Sequence, residues 1–251
     1  MGQEGSLART HGEAPGLPRG RSSLPASAVR AAQRERLLAA VVAAVSEAGF
    51  GGITVAEIVR RAKVSRAAFY AHFTDKEECF LAATAHGGKL LVDAVVSATH
   101  SLVGVEYVES SESHEPPGAP ETPESPESPE SPEQTLRLAC RAFLGFLAEE
   151  PAFARVFYID MPAAGSGAVA RMDAAQHRFA DLNRVWHERA REHYPEWPAV
   201  PYDAYLALAG AMTELVSVRV RHGRTAELPE LEDTMVALHL AVLAGRPWSV
   251  G

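Results

Sequence analysis

Cysteine is scarce in this chain: Cys79 and Cys140 are the only two in 251 residues. That excludes a disulfide framework and fits a reducing compartment with two packed thiols, a redox pair between them being the alternative. Long apolar runs are also missing. The longest, LLAAVVAAV at 37–45, has nine residues, against the roughly 20 that a membrane-spanning helix needs. The first 30 residues hold no apolar h-region, so they are not expected to be a signal peptide. No membrane partner is expected, and the localisation expected is cytoplasmic. Sustained period-2 alternation is absent, which leaves an all-α chain. The chain also lacks a Gly-rich phosphate loop, a GxSxG elbow and an HExxH helix. His177, His187 and His193 do not share a helical face, and no Cys/His set has metal-site spacing. The acidic pairs Glu149-Glu150 and Glu232-Asp233 fall at solvated ends. Enzyme chemistry, a metal and a cofactor are therefore not expected.

The informative part of the chain is residues 53–77, ITVAEIVRRAKVSRAAFYAHFTDKE. Before it, Gln33 to Ala48 forms an amphipathic pattern in which Leu37, Leu38, Val41, Val42 and Val45 recur at spacings of three and four. The GFGG at 49–52 ends that helix, since glycine tolerates a left-handed cap. Thr54 stands as an N-cap, and Glu57 three residues later predicts a capping box. The helix this opens runs to about Ala62, with Val55, Ile58, Val59 and Ala62 inward and Arg60 and Arg61 outward. Lys63-Val64 makes a turn and Ser65 caps a second helix. Val64, Ala68 and Phe69 are its core candidates, which leaves Arg66, Ala67, Tyr70, Ala71 and His72 outside. Short residues set among donors and rings suit a helix that enters a DNA major groove. An ordinary helical hairpin with a solvated basic face has the same local pattern.

The stretch RERLLAAVVAAVSEAGFGGITVAEIVRRAKVSRAAFYAHFTDKEECFLA resembles the DNA-binding domain of the tetracycline-repressor (TetR-type) family of bacterial transcription regulators. VSRAAFYAHF followed by a Lys-Glu pair is its most specific piece, and the match covers about 50 residues without a gap. Two positions depart from the family pattern, which usually has Ala where Val59 stands and Gly where Lys63 stands. Lys63 must then adopt a left-handed conformation at about 1 kcal/mol, or the turn differs. The resemblance implies an N-terminal three-helix helix-turn-helix domain at 31–91, with its motif at about 54–73. A C-terminal helical ligand-binding and dimerisation bundle would follow at 92–251. It also implies the DNA-contacting set Thr54, Lys63, Ser65, Arg66, Ala67, Tyr70, His72 and Lys76. Thr54, Tyr70 and Lys76 would hold phosphates, and Arg66, Ala67 and His72 would face base edges.

The formal charge of −8 looks unsuited to a nucleic-acid partner until it is mapped. Residues 106–133 contain nine Glu and no Lys or Arg, and removing them takes the charge to +1. Residues 30–78 carry eight Lys or Arg against six Asp or Glu, so the reading head is mildly positive. The segment SSESHEPPGAPETPESPESPESPEQ cannot bury a core and is expected to be a disordered acidic linker at about 106–133. It is either a passive insertion or a restraint on non-specific DNA binding. Residues 1–30 are likewise expected to be disordered, as a functionless tail or as an arm offering Arg19, Arg21 and Arg30 to the minor groove.

Downstream, one helix is expected from Asp75 to about Val103. Others follow at Gln134–Glu149, after Pro151, at about Ala168–Tyr194, at Tyr202–His222 and at Leu228–Ala244. The last two resemble the family's dimer-forming pair, with Ala207, Gly210, Ala211, Leu215 and Val218 as one face and Met235, Leu238, Val242 and Leu243 as the other. An internal core is the alternative use of both faces. Family members usually hold a small ligand inside the bundle. The candidate lining here is Phe143, Phe146, Phe157, Tyr158, Met172, Gln176, Phe179, Asn183, Trp186 and Met212, with Met161, His177, Tyr205 and Glu214 at compatible spacing. A plain core would use the same aromatic and Met stripe. The function implied is a sequence-specific DNA-binding regulator: a homodimeric repressor released from a palindromic operator by a small-molecule effector, repressor following from family frequency. The alternative is a DNA-binding regulator without such an effector, or an activator.

Overall fold

The computed structural model describes residues 6–8, 25–99 and 131–247, and among them no strand occurs. The first helix, α1, spans Ala26–Gly52. It starts inside the stretch expected to be disordered, because ASAVRAAQ supplies good helix formers ahead of the amphipathic run. Leu37, Leu38, Val41, Val42 and Val45 are buried as their spacing predicts, and the helix breaks at Gly49, where φ is 71°. Thr54 then caps α2, Val55–Ala62, accepting from the Glu57 N–H at 3.3 Å. The return half of the capping box is not made. The Glu57 carboxylate instead takes Arg60 and Arg61, and Arg61 also grips Glu47 of α1 with two bonds of 2.7 Å.

Ser65 caps α3, Arg66–Tyr70, through the Ala68 N–H at 3.0 Å. Asp75 caps α4, Lys76–Ala98, through the Glu78 N–H at 2.8 Å. This helix stops at Thr99, whose Oγ1 donates back to the Val95 carbonyl. The expected extension to Val103 lies outside the described residues. Helix α4 packs on α1 at its start and on α5 and α7 further along, so it belongs both to the head and to the body. By length and composition it could cross a membrane. However, Phe80, Ala83, Leu91 and Val95 are buried against its neighbours, and Lys89 pairs with Asp93 on the outer side.

The body comprises α5 (Pro132–Glu149), α6 (Pro151–Arg155), α7 (Ser166–His193), α8 (Tyr202–Arg221) and α9 (Glu232–Leu243). Helix α5 begins at the end of the segment expected to be linker, because Ser131-Pro132 is an N-cap followed by a first-turn proline. The rest of the expected linker, residues 106–130, and Arg19 and Arg21 of the expected arm lie outside the described residues. A π-helical turn at Val156–Asp160 and a 3-10 turn at Met161–Ala164 join α6 to α7. The helix expected at Leu228 is 3-10 from Thr225 to Leu231 and α-helical only from Glu232. Gly223 and Gly245, with φ of 70° and 63°, close the last two helices as expected.

Two contacts fix the body against the head. The Phe153 ring lies where a side chain on Gly87 would stand, 2.2 Å from the position of its missing Cβ. No other residue at 87 lets α6 sit this close to α4. Ser6–Ala8, within the expected tail, is held in place instead: the buried Glu150 carboxylate accepts from the Ser6 and Leu7 N–H groups and the Ser6 hydroxyl. Cys79 and Cys140 are both buried thiols, each pushed up to about 12 by loss of hydration.

Candidate nucleic-acid interface

Phe69 is fully buried and anchors α3, with Phe73 just beyond it at a ring distance of 5.9 Å. That orientation decides the rest of the helix. Arg66, Ala67 and Tyr70, at i, i+1 and i+4, share the opposite face and are exposed, Tyr70 by 56%. Ser65 and Lys63 are exposed at the turn before it, and Thr54 is exposed at the start of α2. The turn itself is left-handed: Lys63 has φ 52° and ψ 42° and is the one non-glycine residue with positive φ among those described. Its N–H donates to the Arg60 carbonyl and that of Val64 to the Val59 carbonyl. This is the paired 5→2 and 6→1 closure of a helix end. Six of the eight residues expected at DNA thus lie on the surface of the two helices and their turn.

The other two do not. Lys76 turns inward, where its ammonium donates to the carbonyls of Phe50 and Ile53 at 3.0 Å each and lies 4.7 Å from the centre of the Phe50 ring. It caps the frayed end of α1 and holds α4 to it, a role that sequence spacing does not reveal. His72 follows the end of α3 in a turn, partly buried, with Nε2 enclosed and without a hydrogen-bond partner among the described residues. Burial, and then Arg30 and Arg34, hold its pKa below the ordinary histidine value. Arg60 and Arg61, next to the turn, hold the Glu57 carboxyl down to about 2 by direct hydrogen bonds. Their positive charge is therefore partly spent within the head.

The expected ligand residues distribute over two cavities. An inner one of about 50 Å³ is walled by Phe143, Phe179, Asn183, Trp186 and Met212 from the expected set. Val95, Leu136, Ala139, Cys140, Leu182 and His239 complete it and are outside that set. A larger cavity of about 180 Å³ lies between α4 and α7 and takes Phe157 and Phe179 from the set. Phe146, Tyr158, Met172 and Gln176 line neither. His177 bonds the Tyr202 hydroxyl at 3.2 Å and Glu214 pairs with Arg221, so both are surface structure. The unforeseen members of the outer cavity include Arg171 and Arg178 at its rim, two turns apart on α7 with Ala174 and Ala175 between them. That stripe is visible in the sequence, but it matches a solvated helix face equally well.

On α8, Ala207 is exposed and Gly210, Ala211, Leu215 and Val218 are half-buried, with open space over Gly210. On α9 the expected face divides. Met235 and Leu243 are fully buried core, whereas Leu238 is half-buried and Val242 is 38% exposed. The helix turns Met235 and Leu243 toward α5, and its outer side carries the other two. Among the described residues no group of three His, Cys, Asp or Glu is arranged to hold a metal ion.

A family model described as bacterial regulatory proteins, tetR family, matches residues 37–83. No curated protein matches the chain. Solved structures do. A TetR-like transcriptional regulator from Rhodococcus sp. RHA1 is 24% identical and superposes with a TM-score of 0.59, over 89% of this chain and 100% of its own. The fatty acid degradation regulator FadR from Bacillus halodurans gives 0.64 at 15% identity, over 85% and 99%. FadR from Bacillus subtilis, in complex with stearoyl-CoA, gives 0.62 at 11%, over 84% and 98%. Residues 37–83 thus match the tetR family of bacterial regulatory proteins, and the chain shares the fold of these solved regulators.

Proposed function

We propose that this protein is a non-enzymatic, cytoplasmic DNA-binding repressor that acts as a homodimer and is released from a palindromic operator by a small-molecule effector. The observation that carries the reading is the exposed face Arg66, Ala67 and Tyr70 on a Ser65-capped helix, inside the segment that matches the tetR family. A helix of this length reaches few base pairs, and two copies related by a two-fold axis reach successive major grooves. The uncovered small and apolar residues Ala207, Gly210, Ala211, Leu215, Val218, Leu238 and Val242 on α8 and α9 support a second copy there. Arg66 pairs with a guanine edge, Ala67 permits close approach, and Thr54, Ser65, Tyr70 and Lys63 hold phosphates.

Two cavities lie along α4, the helix shared by head and body. A molecule there favours one α4 position over another, and with it one spacing of the two heads. Such a coupling amounts to about 1–3 kcal/mol. FadR from B. subtilis in complex with stearoyl-CoA is a relative in fold that holds a ligand. The small size of the inner cavity, packed by Phe143, Trp186 and Met212, favours the second reading, a DNA-binding dimer without a small-molecule effector.

Selection of genomic DNA fragments by the purified protein tests the proposal. A recovered palindrome with half-sites one helical turn apart is the expected result. Recovery of fragments with no common sequence would overturn it.

A further inference from the structure

Helix α7 presents Arg171, Ala174, Ala175 and Arg178 to the outer cavity, and α4 faces them with Ala85, Gly88, Leu91 and Val92. The small residues leave the space between the two helices unfilled at this level, and the space above Gly88 is open. The depth of the cleft is apolar, ending on Phe157, Met161 and Phe179, while its rim carries two guanidinium groups. Among the described residues no carboxylate lines it. An apolar slot with two cations at the mouth has a direction: a chain goes in and an anion stays out. Arginine is suited to that anion because its fork pairs two oxygens of a carboxylate or a phosphate at once. Phe179 is also a wall of the inner cavity, where it meets Phe143 edge to face at 5.3 Å. The Phe179 side chain is thus common to the walls of the outer slot and of the inner space that reaches Trp186 and His239.

We propose that the outer cavity binds an elongated amphiphile with an anionic head, the head on Arg171 and Arg178 and the tail between α4 and α7, with Phe179 as the gate to the inner cavity. This rests on the effector reading above and gives it a ligand class. The tail lies against Thr84–Val92 of α4, the stretch just beyond residues 37–83 that match the tetR family. The occupied and empty cleft thus differ in how closely α4 can approach α7.

The test is calorimetric titration of the full-length protein with dodecanoate, dodecanoyl-CoA and the uncharged dodecanol, each below its micelle concentration. One or both anions are expected to bind more tightly than dodecanol. A fatty acid source gives binding of both anions, whereas a need for the nucleotide phosphates gives binding of the thioester alone. The double variant Arg171→Gln/Arg178→Gln, altered only at exposed positions, is expected to weaken the anions about ten- to a hundredfold and to leave dodecanol unchanged. Ala175→Trp, with helix content checked by circular dichroism, is expected to block all three. Equal affinity for dodecanol and dodecanoate, unchanged anion affinity in the double variant, or no binding of any probe would overturn the proposal. Operator release followed in the same titrations keeps the two readings apart. Anion binding without release retains the ligand class and overturns the effector role. Release by an uncharged molecule, with no anion bound, does the reverse.

Discussion

The backbone N–H of Val64 donates to the carbonyl of Val59 at 3.2 Å, closing the end of α2 over Lys63, whose φ is 52°. The two positions at which the sequence departs from the family pattern, Val59 and Lys63, are parts of one turn. A side chain in the left-handed region costs about 1 kcal/mol, and here that cost sets an exposed cation between the two helices of the motif. Lys63→Gly is expected to raise head stability by up to about 1 kcal/mol. The same change is expected to weaken DNA binding and lower the salt slope by about 0.9, one phosphate contact. Urea unfolding and anisotropy at several salt concentrations measure both. A gain in stability with unchanged salt slope would remove Lys63 from the interface.

Lys76 is expected to act through the fold of the head. Lys76→Met removes an ammonium from two backbone carbonyls, those of Phe50 and Ile53, and leaves them partly buried without a donor. A loss of about 1–3 kcal/mol in stability is expected, with the salt slope of DNA binding unchanged. A lower slope at full stability would restore Lys76 to the phosphate contacts.

Gly87→Ala places a methyl group inside the Phe153 ring. Overpacking of this kind costs about 1–3 kcal/mol. Because the clash lies between α4 and α6, it is also expected to shift the operator affinity of the ligand-free protein. Thermal unfolding and DNA titration of the same preparation check the two effects. Unchanged values in both would show that α6 moves away freely.

Acid sensitivity follows from two buried histidines. Burial holds His187 and His239 below the ordinary value of 6.5. The unfolded chain therefore takes up protons first as pH falls. Their contribution is fully present above pH 6.5 and is lost as pH drops through the lower folded-state values. Stability measured by urea unfolding is expected to decline from pH 7.5 to 5.5. The decline is expected to be shallower in His239→Asn, which keeps a side-chain donor near the Met235 carbonyl that Nδ1 contacts at 2.7 Å. An equal slope in the variant would exclude His239 as a source.

Much of the head was legible in sequence because its signals are local. Thr54, Ser65 and Gly49 act within a few residues of themselves, so caps and breaks fall where residue type places them. The left-handed Lys63 followed from an expected glycine position. The partners of Lys76 and the burial of His72 are not legible in sequence, because helical position determines where a side chain starts and tertiary packing determines where it ends. The 26-residue separation between Lys76 and the Phe50 carbonyl leaves no periodic trace. The same reasoning applies to the cavities. Aromatic residues of α5 and α7 do line them, with Met212 of α8 and Met161 of the 3-10 turn, but Met172 and Tyr158 pack elsewhere in the body. Arg171 and Arg178 look like ordinary surface until the gap opposite them is seen.

The central claim is that the exposed face of α3 reads DNA sequence, and Arg66→Ala tests it most directly. Fluorescence anisotropy would compare wild type and variant on the selected operator and on a random duplex of equal length. The account predicts a loss of about 1–3 kcal/mol on the operator and little change on the random duplex. Equal losses on both, or none on the operator, would contradict it.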